Sequence, residues 1–260
     1  MLQMVDESVK SSQNGRRDEI RRLLRERTTA SIAELAGHFD VSQMTIRRDL
    51  YRLAEAGEVI RIPGGARVAR GISFEKSFSE RLQKMAEAKD CIGRLAASLV
   101  REGDSVLMDS GTTTLCIARH LRSRANIVVL TYSLAVLDEL AGSESVRIEL
   151  TGGVYRHSSH DLVGGTVSES LAGVYADKVF FGAAAVSFSK GVMVYDPEAP
   201  RQLLRAGAER ILVADSGKIG AEALYGYCRL DQCDLVITDS GVKPSDLNRL
   251  RKVTRVMVAE

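Results

Sequence analysis

Val41-Ser42-Gln43-Met44-Thr45-Ile46-Arg47-Arg48-Asp49-Leu50 is the stretch that decides the fold of the first quarter of this sequence. At about 3.6 residues per helical turn, Ile46, Leu50 and Leu53 fall on one face, which we expect to pack on neighbouring helices. The opposite face carries Met44, Arg47, Arg48 and Tyr51. A helix with an apolar side and a cationic, hydrogen-bonding side suits the major groove of B-DNA.

Two more helices are predicted before this one. The segment Arg16 to Arg27 has apolar residues at helical spacing among arginines and acids. After a polar break at Thr28–Thr29, Ser31 is predicted to cap a second helix, with Glu34 completing a capping box. The apolar stripe of that helix is Ile32, Leu35, Ala36 and Phe39.

The third helix is predicted to start at its cap, Ser42, and to run to about Ala56, where Gly57 is the expected stop. A short strand, Val59–Ile62, then ends at Pro63-Gly64-Gly65. Three helices and a strand pair predict a winged helix-turn-helix domain over residues 16–70.

The predicted DNA contacts lie on the third helix and the wing. First-turn side chains are expected at base edges, the helix arginines at guanine edges or phosphates, and Arg61 at a phosphate or the minor groove. Asp49 is expected to orient an arginine. The predicted DNA-binding residues are Ser42, Gln43, Met44, Thr45, Arg47, Arg48, Tyr51 and Arg61. The alternative is a helical hairpin whose arginines only keep it soluble.

Composition is that of an ordinary globular protein, with 45% hydrophobic and 27% charged residues. Residues 1–70 carry 13 Lys and Arg against 10 Asp and Glu, whereas the rest carries 23 against 24. The positive excess therefore lies where a polyanion would bind. Residues 1–15 are polar and are predicted to form a disordered tail. No apolar run of about 18 residues indicates a membrane span.

The four cysteines show no metal-ligand spacing, so no metal is expected. The loop after Met108 has the spacing of neither a dinucleotide fingerprint nor a P-loop, and no cofactor is expected. They lie in or beside apolar segments and are predicted to be buried thiols in a reducing cytoplasm.

Residues 71–90 are predicted to be a linker and the first helix of a second domain, with helical periodicity from Lys84 onward. From Cys91, helical stretches alternate with β-branched runs, which predicts an α/β domain with a mostly parallel sheet over residues 91–260. The predicted strands are Ser105–Met108, Ile127–Leu130, Val146–Leu150, Lys178–Phe181, Ile211–Ala214, Leu235–Thr238 and Arg255–Val258.

Small and polar residues follow several of these strands, and the carboxyl ends of parallel strands share one edge of a sheet. Backbone N–H groups and threonine hydroxyls after the first strand, before a helix expected to start near Leu115, can hold phosphate oxygens. A plain tight turn is the alternative, and for Lys218 a surface lysine. The candidate ligand-binding residues are Asp109, Ser110, Gly111, Thr112, Thr113, Thr114, Thr131, Tyr132, Gly152, Gly153 and Lys218.

These motifs together resemble the DeoR family of bacterial regulators. In the first part the matching segments are Glu34-Leu35-Ala36, Val41-Ser42, Thr45 to Leu50, Gly57 and Gly64-Gly65-Ala66. In the second part they are Glu75 to Arg81, Ala88-Lys89, Asp109 to Thr113, Thr151 to Gly153, Asp177 to Phe180, Glu198 and Asp215 to Lys218.

The resemblance implies binding to double-stranded operator DNA, usually as a repressor. It also implies a sensor domain with a fold like those of ribose-5-phosphate isomerase and glucosamine-6-phosphate deaminase, and a phosphorylated sugar as effector. By position, the threonine loop would hold the phosphate, and Glu75, Arg81 and Lys89 would line or close the pocket, unless they form a salt-bridged surface helix. We expect a homodimer or homotetramer that binds two half-sites.

Three departures from the family pattern stand out: Ile62-Pro63 in the wing, Tyr132 in place of asparagine, and Ala199-Pro200 after Glu198. Ala199-Pro200 is expected to interrupt a helix, and Tyr132 is expected to alter ligand preference. The alternative function is a sugar-phosphate isomerase with an added DNA-binding domain, for which Asp109 and Asp215, with Glu198, are candidate carboxylates.

Overall fold

The computed structural model describes residues 13–55, 58–68 and 75–260, and divides into two compact units, Met1–Ser77 and Phe78–Glu260. The predicted stop at Gly57 lies outside the described residues, as do residues 1–12 of the predicted tail and 71–74 of the predicted linker. Each unit is described by itself.

Within its described residues, the first unit has the predicted three helices and a three-stranded sheet. The prediction of a disordered tail was wrong for residues 13–15, because helix α1 (Gln13–Arg27) begins three residues before Arg16 and a 15-residue helix tolerates Gly15 at about 1 kcal/mol. Strands β2 and β3 form an antiparallel wing. The elements are α1 (Gln13–Arg27), β1 (Thr29–Ser31), α2 (Ile32–Phe39), α3 (Gln43–Glu55), β2 (Val59–Ile62) and β3 (Gly65–Val68).

Strand β1 is a feature that the sequence did not reveal, because three residues are too few for a periodic pattern. It pairs antiparallel with β3, so that the sheet order is β1-β3-β2. A Cβ added at Gly65 would lie 2.4 Å from the carbonyl oxygen of Ala30, so only glycine allows this close approach. The departure at Pro63 leaves the wing intact, since Ile62 still pairs with Gly65 across the turn.

The second unit contains a seven-stranded, wholly parallel sheet, as predicted. Its strand order is β15-β14-β12-β9-β4-β5-β6. All seven predicted strands are present, with ends shifted by a few residues. These strands are β4 (Ser105–Met108), β5 (Ile127–Thr131), β6 (Val146–Leu150), β9 (Ala176–Phe181), β12 (Gly207–Val213), β14 (Leu235–Asp239) and β15 (Arg255–Ala259).

Alternation along the strands separates two apolar cores. On β4, Val106 and Met108 belong to one buried cluster and Leu107 belongs to the other. Both faces of the sheet are therefore covered, which explains the nearly continuous apolar runs. The helices of this unit are α4 (Phe78–Gln83), α5 (Ala86–Ser98), α6 (Thr112–Leu121), α7 (Leu134–Leu140), α8 (Gly165–Leu171), α9 (Glu198–Arg205) and α10 (Pro244–Arg251), and those from α5 onward contribute residues to the two cores.

Smaller strands complete the unit. Strands β7 (Val154–Arg156) and β8 (Asp161–Val163) form an antiparallel hairpin. A second antiparallel sheet has the order β10-β11-β13. Its strands are β10 (Ala185–Ser187), β11 (Gly191–Val194) and β13 (Tyr225–Cys228).

Three expectations about helices in this unit were wrong. Helix α6 begins at Thr112 rather than near Leu115, because the Thr114 hydroxyl bonds the Asp109 carboxylate and draws the threonines into the first turn. Helix α9 includes Ala199-Pro200, since a proline in the first turn gives up an N–H that has no helical partner. Helix α4 precedes the periodicity that begins near Lys84.

Three cysteines, Cys116, Cys228 and Cys233, are buried as predicted, whereas Cys91 is only half-buried. Within the described ranges, no helix has the length and apolar character needed to cross a membrane.

Candidate functional site

Helix α3 starts at its predicted cap. The Ser42 Oγ accepts a hydrogen bond from the Thr45 backbone N–H at 3.1 Å, and the two hydroxyls lie 2.9 Å apart. This cap fixes the first turn, where Gln43 and Met44 are exposed.

The two faces of α3 are those that the periodicity predicts. Ile46, Leu50 and Leu53 are buried in the core of the first unit. The outward face includes Met44, whose exposed fraction is 65%, together with exposed Arg47, Arg48 and Tyr51. Exposed apolar and cationic side chains on one ridge are available to a partner surface.

The wing lies beside this ridge. The Cζ atom of exposed Arg61 is 5.8 Å from the ring centroid of Tyr51, within cation–π range. The structure therefore brings the predicted residues of α3 and of the wing together on one side of the unit.

Asp49 points inward and orients arginines, as predicted. Its buried carboxylate accepts hydrogen bonds from Arg16 Nε at 2.6 Å and Arg17 Nε at 3.0 Å. Both arginines come from α1, so a buried ion-pair cluster ties α1 to α3.

In the second unit, Asp109 organises the loop after β4. Its Oδ1 accepts from the Gly111 N–H at 2.8 Å and the Thr114 hydroxyl at 2.6 Å, and its Oδ2 from the Gly182 N–H at 2.5 Å. Burial raises the pKa of the Asp109 carboxyl, and these hydrogen bonds and Lys218 oppose the rise. Asp109 thus shapes the loop, with both carboxylate oxygens occupied by protein donors.

The three threonines of this loop form the buried first turn of α6. The Thr114 hydroxyl is bonded to Asp109, whereas the Thr113 Oγ1 is buried and has no hydrogen-bond partner in the structure. The first N–H groups of a helix also lack helical partners. This turn follows the N-cap at Gly111. It therefore offers both the positive end of the helix dipole and the hydroxyl of Thr113.

The loop after β5 adjoins the end of β4, and the loop after β6 adjoins the end of β5. Thr131 donates from its hydroxyl to the Met108 carbonyl at 2.9 Å and accepts the Ser133 N–H at 3.0 Å, so it joins the two strand ends. The next loop begins with Thr151, whose buried Oγ1 has no hydrogen-bond partner in the structure, and continues with exposed Gly152 and Gly153.

Tyr132, the departure from the family pattern, is buried in the apolar core. Burial, followed by the charges of Asp109 and Asp161, raises the pKa of its phenol well above the usual range. The phenol therefore stays protonated and close to the loop carboxylates.

Lys218 lies in a 3₁₀ turn, Ser216–Lys218, after β12. Its Nζ is 3.9 Å from an Asp215 carboxylate oxygen, and burial lowers its pKa. Lys89 of α5 carries a buried ammonium, whereas Lys218 is half-buried, and the Lys89 Nζ donates to the carbonyls of Arg81 and Lys84. Burial, followed by the charge of Lys218, lowers the pKa of Lys89 to about 8.

Asp161 is a residue of this edge that the sequence reasoning missed. It is fully buried, pairs with Arg156 at 2.6 Å and accepts the Ser110 hydroxyl at 2.7 Å. The one sequence feature that points to this pair is an Arg and an Asp five residues apart, and they lie in a polar stretch that resembles a loop. In the part of the chain that the structure describes, no group of three or more His, Cys, Asp or Glu could hold a metal ion.

A winged helix-turn-helix followed by a parallel α/β unit with polar strand-end loops defines a two-domain transcription regulator. Residues 16–70 match the model of the DeoR-like helix-turn-helix domain, and residues 84–240 match that of the DeoR C-terminal sensor domain. The chain belongs to the DeoR family.

The HTH-type transcriptional repressor GlcR of Bacillus subtilis is 35% identical to this chain over 215 residues, which are 82% of this chain and 81% of GlcR. The lactose phosphotransferase system repressor of Streptococcus mutans is 32% identical over 247 residues, 93% of this chain and 98% of that protein. Ribose 5-phosphate isomerase A of Methanocaldococcus jannaschii superimposes with a TM-score of 0.38 at 16% identity, over 52% of this chain and 55% of that chain.

Proposed function

We propose that the protein represses an operon of carbohydrate metabolism, and that a phosphorylated sugar releases it from the operator. The observation that carries the DNA-binding part is the exposed ridge of Arg47, Arg48 and Met44 over a fully buried apolar side. The protein's relatives include named repressors, one of them of a lactose phosphotransferase system.

The DNA contacts follow from the geometry of α3. Its first turn, from Gln43 to Thr45, is proposed to meet base edges, and Arg47 and Arg48 to bind guanine edges or phosphates. Arg61, beside Tyr51, would contact the adjacent backbone or minor groove. A dimer or tetramer would place two such helices on two half-sites about 34–36 Å apart.

The effector part rests on the edge of the parallel sheet. The buried Thr113 Oγ1 is a hydroxyl without a hydrogen-bond partner among the described residues, and it lies at a helix N-terminus, which is a favourable place for phosphate. Lys218 supplies a cation whose charge reaches Asp109 at the same loop. We propose that the α6 N-terminus, the glycines after Thr151 and Lys218 hold the phosphate, and that Asp109 positions the loop.

Binding without turnover is favoured over the isomerase alternative. A general base must reach a substrate proton with a free carboxylate oxygen. The Oδ1 of Asp109 accepts hydrogen bonds from two protein donors, and its Oδ2 accepts one from a third donor. Turnover of ribose 5-phosphate or glucosamine 6-phosphate by the purified protein, lost in Asp109→Asn, would overturn this view.

The test is a fluorescence-anisotropy titration of the full chain on labelled duplexes from its own promoter region. Sugar phosphates, the matching free sugars and inorganic phosphate are added in turn, after a thermal-shift screen has ranked them. We expect one sugar phosphate to weaken operator binding at least tenfold, a coupling of about 1.4 kcal/mol. Absence of sequence-specific binding under every condition excludes the proposal, and light scattering gives the oligomeric state.

A further inference from the structure

Helix α4 is the first element of the second unit, and it is held at both ends by other parts of that unit. At its start, the Phe78 N–H donates to the Ser158 carbonyl at 3.0 Å, and Arg81 donates to the Ser159 hydroxyl at 3.3 Å. At its end, Lys89 donates to the carbonyls of Arg81 and Lys84. The chain passes to the DNA-binding unit immediately before Phe78.

The β7–β8 hairpin that holds the start of α4 also holds the proposed ligand-binding loops. Asp161, three residues after Ser158, accepts the Ser110 hydroxyl of the first loop at 2.7 Å. The Leu162 N–H donates to the Tyr132 carbonyl at 2.9 Å, and Ser133 forms a β-bridge with Asp161. One short run of chain thus contacts the ligand-binding loops on one side and α4 on the other.

A buried ion pair between Arg156 and Asp161 joins the two strands of the hairpin. A two-stranded hairpin is marginally stable by itself in water. Here Arg156 Nε and one terminal nitrogen bind the two oxygens of Asp161 at 2.9 and 2.6 Å, and a second terminal nitrogen binds Asp196 at 3.2 Å. Because Asp161 is fully buried, water cannot replace a hydrogen-bond donor that its carboxylate loses.

Ser110 has two possible acceptors and one hydroxyl proton. In this structure the Ser110 hydroxyl donates its hydrogen bond to Asp161. Ser110 is adjacent to Gly111, the N-cap of α6, so an anion at that helix terminus would offer a competing oxygen acceptor. The two arrangements exclude each other, which is the property that a two-state switch requires.

We propose that Ser110 is the switch between ligand and hairpin: a bound phosphate accepts the hydrogen bond of the Ser110 hydroxyl, Asp161 loses that donor, and the β7–β8 hairpin holds α4 less firmly. This inference rests on the proposed function, because it assumes an anionic effector at the α6 N-terminus. Asp161 is then a positioning residue that transmits occupancy of the loop to the segment leading to the DNA-binding unit.

The experiment measures hydrogen–deuterium exchange over residues 78–89 in the full chain. Ser110→Ala removes the donor to Asp161 and imitates the liganded arrangement, so exchange in this segment is expected to rise about tenfold without any ligand. Ser110→Thr keeps a hydroxyl and should restore slow exchange. Ser168→Ala is the matched control, because its hydroxyl bonds Glu198 rather than a residue of the hairpin. Adding inorganic phosphate should raise exchange in the wild type and leave Ser110→Ala unchanged.

The inference is overturned if residues 78–89 of the Ser110→Ala variant exchange as slowly as those of the wild type. Ser159→Ala provides a second variant at the far end of the connection, and it should also speed exchange in α4 if Ser110→Ala fails to fold. The comparison of variants needs neither DNA nor a sugar. If the variants behave as expected while no sugar phosphate alters operator binding, the proposed function fails and the connection from Ser110 through the hairpin to α4 stands.

Discussion

The Nε of Arg16 lies 2.6 Å from a carboxylate oxygen of Asp49, and both side chains are buried. Arg16 belongs to α1 and Asp49 to the inward side of α3, so the pair fixes the orientation of the helix whose other side carries Arg47 and Arg48. Stability of the first unit and presentation of its cationic ridge therefore depend on the same carboxylate.

Asp49→Asn is expected to destabilise the first unit by about 3–5 kcal/mol, because it leaves buried arginine charge without its partner. Operator binding should be lost with the fold of this unit, whereas thermal stabilisation of the second unit by ligands should persist. Asp40→Asn is the control, since Asp40 is exposed with φ of 51°, a conformation that asparagine adopts readily. Calorimetry that shows equal unfolding of both variants would contradict this role for Asp49.

Arg48→Ala is expected to weaken operator binding without affecting the second unit. If its contact is a phosphate, the slope of log affinity against log salt should fall by about 1, and all sequences should be affected alike. Arg147→Ala, an exposed arginine of β6, provides the control. The assignment fails if anisotropy titrations of the two variants coincide across the salt series.

The helix-turn-helix was predictable because local chemistry determines it. The capping box of α2 is present with Ser31 and Glu34 bonded in both directions, at 2.7 and 3.1 Å. The parallel strands were predictable because both of their faces are buried. Strand β1 was not, since its pairing depends on Gly65, which is more than thirty residues away in sequence.

The candidate ligand-binding edge was predictable only in part. Sequence placed Asp109 and Thr113 after a buried strand, which is correct. It could not show that the carboxylate of Asp109 faces protein donors, because one of them, the Gly182 N–H, comes from a different strand end. Asp161 reaches Ser110 through a hairpin whose strands are three residues long, too short for any periodic signal.

Thr113→Val and Thr114→Val form a matched pair that separates ligand binding from loop structure. In the described part of the chain the Thr113 Oγ1 has no hydrogen-bond partner, so valine there should leave stability unchanged or raise it by about 1 kcal/mol. It should also abolish the response to sugar phosphate while operator affinity is retained. Thr114→Val removes a donor to Asp109 and should lower stability by about 1–3 kcal/mol.

Thermal unfolding with and without sugar phosphate distinguishes these two variants. If Thr113→Val still responds fully to the effector, its hydroxyl is not a ligand contact.

The lowered pKa of Lys89 predicts that stability and anion affinity change with pH in opposite directions. Burial and Lys218 lower its pKa to about 8 from 10.5. Between these pH values the unfolded chain binds more protons at this group than the folded chain, so the contribution of Lys89 to stability rises with pH. Affinity for an anion at the same edge should instead fall as pH rises through about 8, because the ammonium loses its proton.

The measurement compares the wild type with Lys89→Met from pH 7 to 10, with sulfate as a probe whose charge is constant over this range. The difference in unfolding free energy between the two proteins should change in favour of the wild type as pH rises, while the difference in sulfate stabilisation should disappear. Lys190→Met, at an exposed ion pair with Glu222, should show neither trend. Parallel pH profiles for the wild type and Lys89→Met would mean that Lys89 is not a titrating group of this edge.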